Sequence, residues 1–150
     1  MIAIKLAELG IELPVAVTPV FQYVPVTIHD RIAFVSGQLP RRGDTFITGK
    51  AGGEVDLEQA RQAARLCILQ GLSCLNQALG SLDRVERILK ITGFVASAPG
   101  FNQQPKVIDA ASELLVEVFG EAGRHARSAV GVAELPRNVA VEIEMIVGLR

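Results

Sequence analysis

Tryptophan is absent from this sequence, tyrosine occurs once, and histidine and cysteine occur twice each. Platforms for stacking nucleic-acid bases are therefore scarce. No basic run offsets that lack, because 15 Lys and Arg are matched by 16 Asp and Glu. A formal net charge of -1 gives no electrostatic case for nucleic acid or for an acidic membrane surface. Nor is there the stretch of about 18 uninterrupted apolar residues that a membrane span needs.

The two cysteines, Cys67 and Cys74, fall seven residues apart in RLCILQGLSCL. On a helix that is two turns, about 10 Å along the axis, too far for a disulfide. They read as core thiols in a reducing, cytoplasmic compartment. Also missing are the nucleophile-elbow, phosphate-loop and dinucleotide fingerprints. No His or Cys cluster has metal-ligand spacing, so a zinc site is not expected. Histidine-assisted nucleophilic catalysis would require His29 or His125 to meet a distant Ser or Cys.

What the chain has in plenty is apolar surface. Hydrophobic residues make up 49% and charged ones only 21%, in 150 residues. That length suits one domain, spanning 1–150, with a sizeable core. A chain this apolar is expected to hide further surface against copies of itself.

The opening MIAIKLAELGIELP carries Lys5 and Glu8 inside its apolar stretch. It predicts a turn or two of amphipathic helix rather than a signal peptide. QYVPVTIH, 22–29, predicts a strand, with Pro25 placing it at an edge or bulge. IAFVS, 32–36, predicts a strong strand. PRRGD reads as a polar turn, TFITGK as a short strand, and AGGEV as a flexible link. Asp56 predicts a helix N-cap, and apolar residues then recur at three and four as far as Leu79, before Gly80. VERILKITGFVAS, 85–97, predicts a strand in which Gly93 marks a bulge or a close backbone approach. A second helix is expected from near Gln104, with Pro105 in its first turn and Gly120 at its end. Two strands follow, joined through Glu134–Asn138 by a hairpin-sized connection. Two helices can cover one face of such a sheet, which leaves the other face to a partner.

The final strands carry the unusual charges. Arg127 shares a face with Ala129, Gly131 and Ala133, all small. Glu142 and Glu144 share a face with Ala140, opposite Val139, Val141, Ile143 and Met145. One reading is a solvated sheet edge with an Arg–Glu pair, contributing about 0–1 kcal/mol. The other is a small cleft in which the Arg127 fork binds a carboxylate and a neighbouring Glu handles water. A buried Arg127 needs one kind of anion or the other.

ARSAVGVAELPRNVAVEIEM, from Ala126, closely resembles the C-terminal signature of the reactive intermediate deaminase family, the RidA/YjgF group once labelled endoribonuclease L-PSP. FVSGQLP, 34–40, resembles the family's other common block. The resemblance covers roughly residues 20–149, leaving 1–20 as an N-terminal extension. It implies an α+β, chorismate-mutase-like fold with two helices on one face of the sheet. It implies a homotrimer with ligand clefts between subunits. It implies hydrolysis of 2-aminoacrylate and related enamine or imine acids to 2-keto acids and ammonia, without a cofactor. By position, Arg127 would bind the substrate carboxylate, Glu142 would position the hydrolytic water, Tyr23 would be a second catalytic residue, and Ser36, Gly37 and Ala129 would line the substrate pocket.

Three positions depart from the family pattern: His125 replaces a proline, Ala129 a cysteine, and Ser112 an asparagine. His125 and Ser112 are therefore possible accessory residues. The departures keep open a second reading, a non-catalytic trimer that binds small 2-keto or 2-imino acids as a sensor or interaction protein. A ribonuclease is the least favoured reading, given the neutral charge and scarce aromatics.

Overall fold

The computed structural model describes residues 1–18 and 20–150. Its longest helix begins where the sequence predicts. Asp56 halts the chain in extended backbone, and its carboxylate accepts the Gln59 N–H at 2.8 Å. The Gln59 side chain returns the bond to the Asp56 N–H at 2.9 Å, closing a reciprocal cap. Helix α2 then runs Leu57–Leu79 and ends at Gly80, whose φ of 79° is left-handed. Its apolar stripe, including Ile68, Leu72 and Leu75, is fully buried, each side chain stabilising the fold by about 1.5–3 kcal/mol. Helix α3, Gln104–Phe119, packs beside it, with Pro105 in the first turn. A short α1, Ile2–Glu8, docks by Leu6 into the same core.

The five-stranded sheet is built from β1 (Val26–His29), β2 (Ile32–Gln38), β5 (Val85–Ala96), β6 (Ala126–Val132) and β7 (Val141–Leu149), in the order β1-β2-β7-β5-β6. A separate two-stranded ribbon pairs β3 (Arg41–Arg42) with β4 (Thr45–Phe46). On β7, Val141, Ile143, Met145 and Val147 are buried toward the helices, while Glu142 and Glu144 point the other way.

Several expectations are corrected. The predicted strand at 22–29 begins only at Val26, since Pro25 cannot donate to a ladder. PRRGD is not wholly a turn, because Arg41 and Arg42 form one strand of the ribbon. AGGEV is no flexible link: Ala51 bridges Val55 and Ser97, and both Ala51 and Val55 are buried.

The largest correction concerns the last two strands. β6 and β7 do not pair as a hairpin. Both flank β5, β6 in parallel and β7 antiparallel. A parallel neighbour needs a long crossover, which α3 supplies between β5 and β6. The connection at 133–140 then carries the chain past β5 to its other edge. Gly93 marks a close approach, with no bulge at that position: Ile108 of α3 lies where its Cβ would be.

Candidate functional site

Pairing register decides which charges can meet. Ile91 sits opposite both Arg127 and Met145, so Arg127 lies on the helix-covered face of the sheet. Phe94 sits opposite both Val130 and Glu142, so Glu142 lies on the uncovered face. One chain therefore does not bring Arg127 and Glu142 together. It carries two separate constellations.

The first surrounds Glu142. A cavity of about 400 Å³ is bounded by Tyr23, Gly37, Arg41, Phe46, Arg137 and Glu142 among others. Burial, and then the neighbouring Glu144, push the Glu142 carboxyl above the usual carboxylate range. Gly37 makes room for it: a Cβ there would lie 2.5 Å from Glu142 Oε1. β2 is irregular at this point, its register against β7 shifting between Val35 and Gln38. Tyr23 stacks on Phe21 with ring centroids 6.4 Å apart. Ser36 does not face the cavity; its hydroxyl donates to the Val24 carbonyl at 2.8 Å and so ties down the segment bearing Tyr23.

The second constellation lies between α3 and β6. The Arg127 guanidinium reaches Asp109 at 2.8 Å, donates to Ser112 Oγ at 3.1 Å, and donates to the Pro105 carbonyl at 3.3 Å. Its anion within the chain is thus Asp109, not the expected glutamate. Both partners are partly exposed, so this ion pair binds weakly, about 0–1 kcal/mol. Ala129 follows two residues later on the same face, packed against the core.

His125 does meet a serine. Its Nε2 lies 2.9 Å from Ser112 Oγ, and its Nδ1 lies 2.6 Å from the Gly123 carbonyl. A carbonyl can only accept, so Nδ1 carries the proton and Nε2 accepts from the serine. Burial, and more weakly the Arg127 charge, lower the His125 pKa against the opposing effect of the Gly123 bond. The lowered pKa favours the neutral ring, whose unprotonated nitrogen is engaged by the Ser112 hydroxyl. The run from Arg127 through Ser112 to His125 also fixes the guanidinium's direction. The other histidine, His29, lies 3.6 Å from Asp30 on the surface and does not join this group.

A model of the family described as "YjgF/chorismate mutase-like, putative endoribonuclease" matches residues 3–148. The chain belongs to the YjgF family. Among its relatives, Protein TCP17 of Trypanosoma cruzi is 45% identical over 150 residues, covering 99% of this chain and 94% of that protein. A 2-iminobutanoate/2-iminopropanoate deaminase of Dermatophagoides farinae is 30% identical over 139 residues, 91% of this chain and 93% of that one. The crystal structure of the protein Atu1372 from Agrobacterium tumefaciens superposes with a TM-score of 0.93 at 46% identity, covering 99% of this chain and 92% of that one. The matched residues include most of α1.

Sequence reasoning missed three residues of the first constellation. Arg41 was read as part of a turn, and Phe46 and Arg137 were not singled out. Arg137 and Asn138 adopt left-handed backbone, with φ of 56° and 58°. That conformation costs a residue with a Cβ about 1–2 kcal/mol. A bridge from Thr48 to Val139 and the Gly49 N–H bond to the Asn138 carbonyl hold it. The one advance signal was the Pro-Arg-Asn turn composition itself.

Proposed function

We propose that this YjgF-family chain is a hydrolytic deaminase of enamine and imine 2-amino acids such as 2-aminoacrylate, working as a homotrimer with sites completed between subunits. The observation that carries the reading is the division of charges: the Glu142 cavity and the Arg127 group lie on opposite faces of one sheet. A second copy is the simplest way to bring a carboxylate anchor to a water-handling glutamate. β6 is an edge strand, so Arg127 is available at the margin of the molecule. The D. farinae relative, named as such a deaminase, supports the same chemistry.

In the proposed reaction Arg127 holds the substrate carboxylate through charge-assisted bonds. Its Nε–H has no acceptor among the described residues, and the weak Asp109 pair can yield. The protonated imine carbon is already electrophilic. Glu142, with a raised pKa, accepts a proton from water as that water attacks. The glutamic acid so formed returns that proton to the amine nitrogen, ammonia leaves as the C–N bond breaks, and the hydroxyl gives up its proton as the C=O bond of the 2-keto acid forms. Most of the rate comes from positioning. His125, as a neutral base beside Ser112, is placed to relay a proton on the Arg127 side.

The Asp109 pair favours one competing reading, a carboxylate-binding trimer without turnover. Ammonia release from 2-aminoacrylate, generated in situ by a serine dehydratase, separates the two. The wild type should accelerate release, and Arg127→Ala should lose about 100-fold or more. Binding of 2-oxobutanoate by calorimetry with no acceleration would establish the binder instead. An unaltered rate in the variant would remove Arg127 from the mechanism.

A further inference from the structure

The Glu142 cavity has a cationic end that the proposed reaction leaves unused. We infer that Arg41 and Arg137, gathered around Phe46, receive a second acidic group of the substrate, so that the chain acts on dicarboxylic imino acids. This inference rests on the deaminase reading for its reaction, but not for its binding geometry.

The Arg137 guanidinium carbon lies 5.2 Å from the centre of the Phe46 ring, and that of Arg41 lies 5.6 Å from it. A ring face attracts cations, and both guanidiniums lie close to this one ring. Both are positive and border one cavity, so an anion held there is attracted by both. The chain supplies little in that role. Arg41 donates from Nε to the Gly43 carbonyl at 2.8 Å, and its Nη2 lies 3.7 Å from Asp44, which is fully exposed. Arg137 has neither an ion pair nor a side-chain hydrogen bond among the described residues. Neither arginine pairs with Glu142, although all three border the same cavity. The carboxyl and the cations therefore line one cavity without an ion pair between them.

Glu142 and both arginines line the same cavity. A longer substrate would set its reactive carbon near Glu142 and its distal carboxylate against the arginines. The backbone around Arg137 is consistent with a positioned ligand group, because strained left-handed residues persist where surrounding structure fixes them. The reaction itself is unchanged. Water adds to the C=N carbon, the C–N bond breaks, ammonia departs and a C=O bond remains, with no change of oxidation state.

The test compares 2-oxoglutarate with 2-oxobutanoate by calorimetry on the whole chain. It also compares turnover of iminosuccinate, made in situ by an aspartate oxidase, with that of 2-aminoacrylate. The wild type should bind the dicarboxylate about tenfold or more tightly than the monocarboxylate, the worth of one charge-assisted contact. Arg137→Asn, which suits left-handed backbone, should bring that ratio toward one, and Arg137→Lys should keep part of it. Arg41→Gln provides a second variant outside the strained turn. Equal affinities in the wild type, or a preference that survives both Arg137→Asn and Arg41→Gln, would overturn the inference even if imines are hydrolysed. A preference lost in these variants, in a protein that hydrolyses no imine, would uphold the clamp and discard the deaminase. Absence of both binding preference and hydrolysis would discard the two together.

Discussion

Glu142 is a carboxylate placed where charge is unwelcome. Its raised pKa means that the native chain keeps a proton over a pH window in which the unfolded chain has lost it. Stability from this group therefore falls as pH rises from the ordinary carboxylate range through the raised value. Glu142→Gln removes the penalty. The variant should melt higher than wild type at pH 7, by no more than about 1 kcal/mol since the side chain stays half exposed, or about 3 °C. The advantage should vanish below about pH 4, where both states bind the proton. Thermal melts of both proteins at the two pH values check the sign; a gain confined to low pH would contradict it. Turnover should fall in the same variant. Much of this was legible beforehand, because a lone ionised face on an apolar strand is visible in AVEIEM. The partners of each charge were not. Asp109 lies 18 positions before Arg127 and on a helix, and only the crossover folds it back.

The elements themselves follow local chemistry closely. Asp56, Gln59 and Gly80 bound α2 by capping and left-handed backbone, signals contained within a few residues. Strand pairing is not local, and there the sequence was silent. Nothing in β6 or β7 says that β5 lies between them, since a short connection suits a hairpin equally well. AGGEV failed for a related reason: two glycines read as flexibility, but Ala51 and Val55 are small or apolar enough to be buried under the sheet's end. Gly93 joins the two levels. It lets Ile108 press α3 onto β5. Gly93→Ala should overpack that contact and destabilise the fold by about 1–3 kcal/mol. Urea unfolding should show a lower midpoint with an unchanged slope. A midpoint equal to wild type would mean that α3 can shift at no cost.

At the scale of the molecule, the helices cover one face of the sheet and leave the other bare. Phe34 is 46% exposed there, Val130 42% and Ile32 39%. An apolar surface beside Glu142 and Glu144 is the expected seat of the proposed trimer. Phe34→Glu should drive the chain toward monomers in sedimentation while helix content by circular dichroism is kept. It should also abolish turnover, because the half-sites would no longer meet. A trimer of undiminished strength in this variant would move the interface elsewhere. Among the described residues no helix is long and apolar enough to cross a membrane.

The position of β7 has a consequence for how the chain acquires its shape during synthesis. β7 follows the other strands of the sheet in sequence, yet it sits between β2 and β5. Until it emerges from the ribosome, β2 and β5 each present an open edge and the two halves of the sheet stay apart. The sheet is therefore completed only once β7 has been made, by inserting a strand between two that precede it. The nascent chain is most prone to stick to its neighbours in that interval.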